Sequence, residues 1–120
     1  MLKTDYLQPS LEDLRQQIRR IYAEVADLCA TPSIDTTQAE RLGTRQALGD
    51  LDQIKCSLDN HDVSPEQRVA DIIAIAQKNL VDDEAALLSL LKAHMTESQA
   101  EAEIVKRKII HSRLVTVITL

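Results

Sequence analysis

The chain has 120 residues, enough for one domain with its own core and without disulfide or metal staples. Apolar residues make up 44% of it, mostly aliphatic, since Phe and Trp are absent and Tyr6 and Tyr22 are the only aromatic residues. Two glycines and three prolines are too few for a many-turned β-sandwich or barrel, so the composition excludes that class and favours an all-α bundle.

The net charge of −5 at pH 7 is unevenly distributed. Residues 1–100 are acidic, whereas residues 101–120 contain four Lys/Arg and two Asp/Glu. An acidic body argues against broad nonspecific binding of nucleic acid, which needs a positive field. The N-terminal residues lack the apolar region of a signal peptide, no apolar run reaches 18 residues, and two cysteines do not make a secreted disulfide framework. We therefore expect no membrane span and a location in a microbial cytoplasm.

A first helix is predicted over residues 10–30, after a poorly ordered lead-in at residues 1–8. Ser10 follows Pro9 and is suited to cap the helix, and Pro32 disfavours helical geometry beyond Ala30. Apolar residues then recur at alternating spacings of three and four, as in a helix that buries one face. They are Leu11, Leu14, Ile18, Ile21, Val25 and Leu28.

A second helix is predicted over residues 37–59, antiparallel to the first because the loop between them is short. Thr37 and Glu40 form a capping box, with Asp35 as an alternative cap. A single apolar face is clear only from residue 47 to residue 58. Gly43 and Gly49 each lower the helix propensity by about 1 kcal/mol relative to Ala.

Residues 65–94 contain one long helix or two. Ser64 and Pro65 are a strong helix start, and a stripe including Ile72, Ala76 and Leu80 is predicted to be buried. The acidic run at residues 82–84 either begins a further helix, over 82–94, or lies exposed within the long one. Residues 85–93 are apolar around most of a helical wheel, which is typical of a helix that is central in a bundle or needs a partner.

A last helix is predicted over residues 97–118, started by a capping box from Thr96 to Gln99. Its aliphatic residues fall all around the wheel, and residues 114–120 have a strand-like composition. Either this helix is enclosed on several sides, or its end leaves helical geometry to meet another surface. The complete prediction is a single domain over residues 1–120, folded as a four- or five-helix, mostly antiparallel bundle.

No motif for catalysis or metal binding is evident. His61, His94 and His111 each lack a second His or Cys at metal-ligand spacing, and His111, one turn from Lys108, is a weak candidate for a phosphoacceptor. Cys29 and Cys56 lie too far apart in the predicted hairpin to form a disulfide, and we expect both to be buried or half-buried. We therefore expect no enzymatic activity, no cofactor, no metal and no small-molecule substrate.

The terminal helix carries more aliphatic surface than one face buries in a bundle of this size, which is typical of an oligomer or partner interface. The prediction is therefore a binding or regulatory protein, such as an adaptor, inhibitor or immunity-like module, that self-associates or binds another protein through this helix. The predicted interface consists of Ile110, Leu114, Val117 and Ile118, with Lys106 and Arg113 as charged rim residues.

An alternative prediction uses the basic cluster of the same helix. A small dimeric regulator would place Lys106, Arg107, Lys108 and Arg113 on nucleic-acid phosphates. The four cations spread over more than half of the helical circumference, which is a poor match to a single stripe facing a groove.

Overall fold

The computed structural model of the protein describes residues 11–118, apart from the side chain of Ile118. This part of the chain is all helix and connecting loops, without a strand. The helices are α1 (Leu11–Ala30), α2 (Gln38–Leu58), α3 (Pro65–Lys78), α4 (Glu84–Lys92) and α5 (Glu97–Ile118). The predicted lead-in at residues 1–8, the Ser10 cap and residues 119–120 lie outside the described residues. The helical bundle is confirmed, and residues 65–94 form two helices.

Side-chain caps determine where four of the helices begin. Thr37, and not Asp35, caps α2 by accepting a hydrogen bond from the Glu40 amide at 3.1 Å. Ser64 accepts from the Gln67 amide at the start of α3. Asp83 accepts from the Ala86 amide and so starts α4 as a separate helix. Before α5, Thr96 and Gln99 exchange two bonds of 3.2 Å, a complete capping box. These bonds satisfy amides that have no partner within the helix.

The helices are arranged around α5, which contacts each of the other four. The start of α1 lies beside the end of α2, where the Arg15 guanidinium donates to the Leu58 carbonyl, so these two helices are antiparallel as predicted. As the chain proceeds through α3 and α4, its contacts with α5 fall at progressively earlier residues of α5. They join Ala76 to His111, Glu84 to Lys108 and Lys92 to Glu97. Helices α3 and α4 therefore follow one another along α5, in the opposite direction.

The main core lies between α1, α2, α3 and the C-terminal half of α5. Its fully buried large side chains are Leu14, Ile18, Val25, Leu51, Ile72, Ile110, Leu114 and Val117. A second, smaller core lies between α4 and the N-terminal half of α5. It consists of Leu91, Ala100 and Ile104, with Leu87, Leu88 and Met95 packed against them.

Three of the predicted interface residues of the terminal helix lie inside the chain and not on its surface. Ile110, Leu114 and Val117 are at most 1% exposed, and they lie in the main core of the chain itself. Helix α5 ends at Ile118, as predicted, so the strand-like composition of residues 114–118 does not interrupt the helix. The aliphatic residues around α5 are explained by its central position, because a helix surrounded by four others buries several faces.

Two predicted core positions lie at the ends of their helices and are partly exposed. Leu28 is 49% exposed in the last turn of α1, and Leu80 is 45% exposed just after α3. Periodicity places both on the buried face, but they lie where the apolar stripes of α1 and α3 end. The end of a periodic stripe is therefore less buried than its middle.

Gly43 is buried where α2 crosses α5, and a side chain there would collide with α5. An added Cβ would lie 2.6 Å from the Val105 Cβ and 2.7 Å from the Ala102 carbonyl oxygen. The lost helix propensity at this position is thus offset by a close approach of two helices. Gly49, by contrast, faces open space.

Candidate protein-binding surface

The basic cluster of α5 is paired with carboxylates of the same chain. Each of its four cations has an acidic partner within 3.1 Å, drawn from α1, α4 or α5 itself. The pairs are Lys106 with Glu103, Arg107 with Glu103, Lys108 with Glu84 and Arg113 with Glu24, and Lys106 also lies 3.7 Å from Asp50 of α2. The cluster therefore connects α5 to its neighbours and leaves little free positive charge for phosphates.

Glu103 is the centre of this network. Burial by itself raises the pKa of the Glu103 carboxyl, but hydrogen bonds from Arg107 and Lys106, together with the charges of both cations, hold the pKa below its ordinary value. The Arg107 Nε donates to one carboxylate oxygen at 2.6 Å, and the Lys106 Nζ lies 3.1 Å from the other. This carboxyl stays ionised near neutral pH, which suits a structural ion pair better than proton transfer.

These charges border a cleft of about 410 Å³ between α2, the end of α3 and α5. Its walls include Asp50, Lys78, Glu103, Lys106 and Arg107. Four of these five groups are already paired with one another, and Lys78 is exposed. The charged groups of the cleft are therefore used mainly in ion pairs within the chain, and Lys78 is its one charged group without an ion pair among the described residues.

A second cleft, of about 390 Å³, lies beside the turn between α2 and α3. It borders on Arg68, which is 7% exposed and was missed in the sequence because Arg is rarely buried. Its Nη1 donates to the Leu58 carbonyl at 2.8 Å and its Nε to the Val63 carbonyl at 2.9 Å. Arg68 therefore caps the C-terminus of α2, where a cation complements the helix dipole.

The histidines and cysteines form no joint site. His61 and His94 are exposed in separate turns, and the Nδ1 of half-buried His111 is 2.8 Å from the Ala76 carbonyl, which ties α5 to α3. Cys29 and Cys56 are free thiols, and Cys56 is exposed instead of half-buried as predicted. Residues 11–118 contain no cluster of three His, Cys, Asp or Glu side chains suited to a metal ion. Within the same range, no helix is long and apolar enough to cross a membrane.

The outer face of α4 is apolar and exposed. Helix α4 packs against α5 and against no other described helix. Its inner side chain, Leu91, is 9% exposed, whereas Leu90 is 61% exposed. Ala86 and Ala93 lie on the same side of the helix as Leu90, at spacings of four and three, and both are exposed. We call Ala86, Leu90 and Ala93 the α4 face.

Two ion pairs hold α4 in place at its ends. Lys108 of α5 lies 2.8 Å from Glu84 in the first turn of α4, and Lys92 in its last turn lies 3.5 Å from Glu97 of α5. Both pairs are solvent-exposed and each contributes less than about 1 kcal/mol. The inner contact with Leu91, Ala100 and Ile104 therefore supplies most of the attachment of α4.

The structure does not bring the predicted interface residues together on a surface. Lys106 and Arg113 are partly exposed, but Ile110, Leu114 and Val117 are buried and the side chain of Ile118 is outside the described part. The α4 face was not among the predicted site residues. Its signal in the sequence was the nearly continuous apolar character of residues 85–93, which indicates either a central helix or an unpartnered one.

Comparison with protein-family models, with curated proteins and with solved structures found no match for this chain.

Proposed function

We propose that this protein is a regulatory binding module that docks another protein on the α4 face. The observation that carries the proposal is the exposure of Leu90, 61%, on a helix with a single neighbour among the described helices. A leucine that is isolated on a surface needs no explanation, but Leu90 lies between two exposed alanines that allow a second helix to approach closely. Burying this side chain in a complex contributes about 1.5–3 kcal/mol.

The electrostatics favour a protein partner over nucleic acid. The four cations that would contact phosphate are each paired with a carboxylate of the chain. Binding of phosphates would have to break those pairs and to approach an acidic body, which carries a net charge of −5. An adaptor or inhibitor is the form of function that a small, rigid bundle with one apolar docking face supports best.

A cytoplasmic location is part of the proposal. Cys56 is a free, exposed thiol, and such thiols persist where the surroundings are reducing. Fractionation of cells that express the chain with an epitope tag tests this location.

Site-specific photo-crosslinking tests the docking face. A photoreactive phenylalanine analogue replaces Leu90 in one variant and Ile34 in a control variant, since Ile34 is 96% exposed in the loop between α1 and α2. In cells of the source organism, we expect position 90 to give a discrete crosslinked protein that position 34 does not give. The partner so identified is then purified and titrated against Leu90→Ser and Ile34→Ser.

The expected result is that Leu90→Ser weakens binding by about 10-fold or more and Ile34→Ser leaves it within about twofold. Circular dichroism and the urea midpoint check that both variants are folded. Equal crosslinking from the two positions, or equal affinities of the two serine variants, would show that the α4 face is not the docking site.

A further inference from the structure

The charge around the α4 face is one-sided. Residues 79–101 contain five carboxylates and a single lysine, a net charge of −4. That lysine, Lys92, is paired with Glu97. Asp82 and Glu101 are exposed, and neither has a cationic partner among the described residues. Lys108 of α5 pairs with Glu84 and reduces this charge to −3, so the surroundings of the α4 face remain acidic, with Asp82 and Glu101 as carboxylates without an ion pair among the described residues.

This negative charge disfavours a second copy of the chain as the occupant of the α4 face. Two copies would bring two regions of net charge −3, Lys108 included, together across an apolar contact of only three side chains. Like charges facing one another destabilise an interface and slow association. A partner with positive charge instead gains Coulomb attraction from the same carboxylates, and that attraction raises the association rate.

The shape of the face also restricts the partner. The nine residues of α4 span about 14 Å, and the α4 face follows the helical spacing of four and three residues. Side chains at spacings of three and four residues form a ridge that packs into the groove of a second helix. The apolar side chains of that second helix would then lie one turn apart. Such a contact is small, so the affinity is expected in the micromolar range.

We infer that the segment docked on the α4 face is a basic amphipathic helix of about three to four turns, with leucine-like residues on one side and Lys or Arg on the others. This inference rests on the proposed function and specifies the chemistry of its partner. The apolar side of the segment covers Leu90, and its cations lie near Asp82 and Glu101.

Synthetic peptides test the inference without knowledge of the natural partner. The first is a 14-residue peptide of Leu, Ala and Lys with leucines at helical spacing. The second replaces every Lys with Glu, and the third contains the residues of the first in an order that destroys the apolar side. Each peptide is titrated into ¹⁵N-labelled full chain, and amide shifts are followed at 50 mM and 300 mM salt.

We expect the first peptide to shift amides of residues 80–101 preferentially and to bind at least about 5-fold more weakly at the higher salt. Leu90→Ser and the double variant Asp82→Asn/Glu101→Gln should each weaken its binding about threefold or more, with Ile34→Ser unchanged. The acidic and the scrambled peptides should bind at least 10-fold more weakly than the first.

Four results would overturn the inference. Equal binding of the acidic peptide at residues 80–101 would leave the docking face in place and refute the charge of the partner. Equal binding of the scrambled peptide would show attraction by charge alone. No shift in residues 80–101 with any peptide at 1 mM would refute a helical partner, while photo-crosslinking still decides the proposed function. Dimerisation that Leu90→Ser abolishes, measured by light scattering, would identify a second copy as the occupant.

Discussion

Two helices of this protein carry apolar side chains around most of their circumference, and they occupy opposite kinds of environment. Helix α5 contacts all four other helices and buries residues on several of its sides, including Ala102, Ile110 and Leu114. Within residues 11–118, helix α4 contacts no helix except α5, and among its own residues only Leu91 is buried. A pattern without a polar face therefore indicates burial in one case and a free face in the other.

The difference between these regions follows from how many neighbours each helix has. Around the C-terminal half of α5, side chains of three other helices contribute to one continuous core. At the α4 end, two helix segments share a core of three buried residues. Since the free energy of burial scales with the apolar area removed from water, the α4 end is the weaker part of the fold.

The sharpest test of this comparison is to truncate one leucine in each core. We expect Leu114→Ala to lower the free energy of unfolding by about 2–5 kcal/mol, because Leu114 is fully buried in the main core. Leu91→Ala should cost less, about 1–2 kcal/mol, since its core is small and partly open. Urea denaturation measures both, and hydrogen exchange should show faster opening of α4 in Leu91→Ala with α2 little changed. Equal losses would contradict the ranking of the two cores.

Substitutions at the two glycines of α2 test how closely α2 approaches α5. Gly43→Ala should lower the stability by about 1–3 kcal/mol despite a better helix propensity, because the new Cβ meets Val105 and the Ala102 carbonyl. Gly49→Ala is the matched control, and it should raise the stability by about 0.5–1 kcal/mol, since nothing lies near its added methyl group. Urea midpoints that rise in both variants would show that α2 and α5 are not in such close contact.

A smaller effect on stability is expected from removing the charge of Glu103. This carboxylate pairs with Lys106 of the same helix, and Lys106 also lies near Asp50 of α2. The pKa of Glu103 is lower in the folded chain than the ordinary value of 4.5, so its contribution is present above about pH 4.5 and is lost as the pH falls through the folded-state pKa. Glu103→Gln should therefore lower the stability by about 0.5–1 kcal/mol at pH 7 and by much less near pH 3.

Glu101→Gln serves as the control for Glu103→Gln, because Glu101 is exposed and has no ion pair among the described residues. Its unfolding free energy should match that of the parent protein at both pH values. A loss at Glu103 that is the same at pH 3 and pH 7 would show that the carboxylate charge is not the source of the stabilisation.

The ends of α1, α2 and α5 were predictable to within two residues, and the α1–α2 hairpin followed as well, whereas the division of residues 65–94 into α3 and α4 was left open. The candidate site was not predictable to the same degree. Ile110, Leu114 and Val117 were assigned to a surface because one helix face cannot bury so many aliphatic residues. The structure shows the alternative, a helix enclosed on several sides. The exposed residue that matters most is Leu90. Periodicity alone does not decide whether its segment is the central helix of the bundle or a helix that binds a partner.

The sequence by itself determined where several helices begin, because caps such as Thr37, Ser64 and Thr96 act on amides only three residues away. Only the tertiary structure decided which apolar faces are covered and which cations are free. Those outcomes depend on partners far apart in the chain, as in the ion pair between Glu24 and Arg113 and the contact of Gly43 with Val105. Local bonds are encoded within one turn of helix, whereas burial is a property of all the helices together.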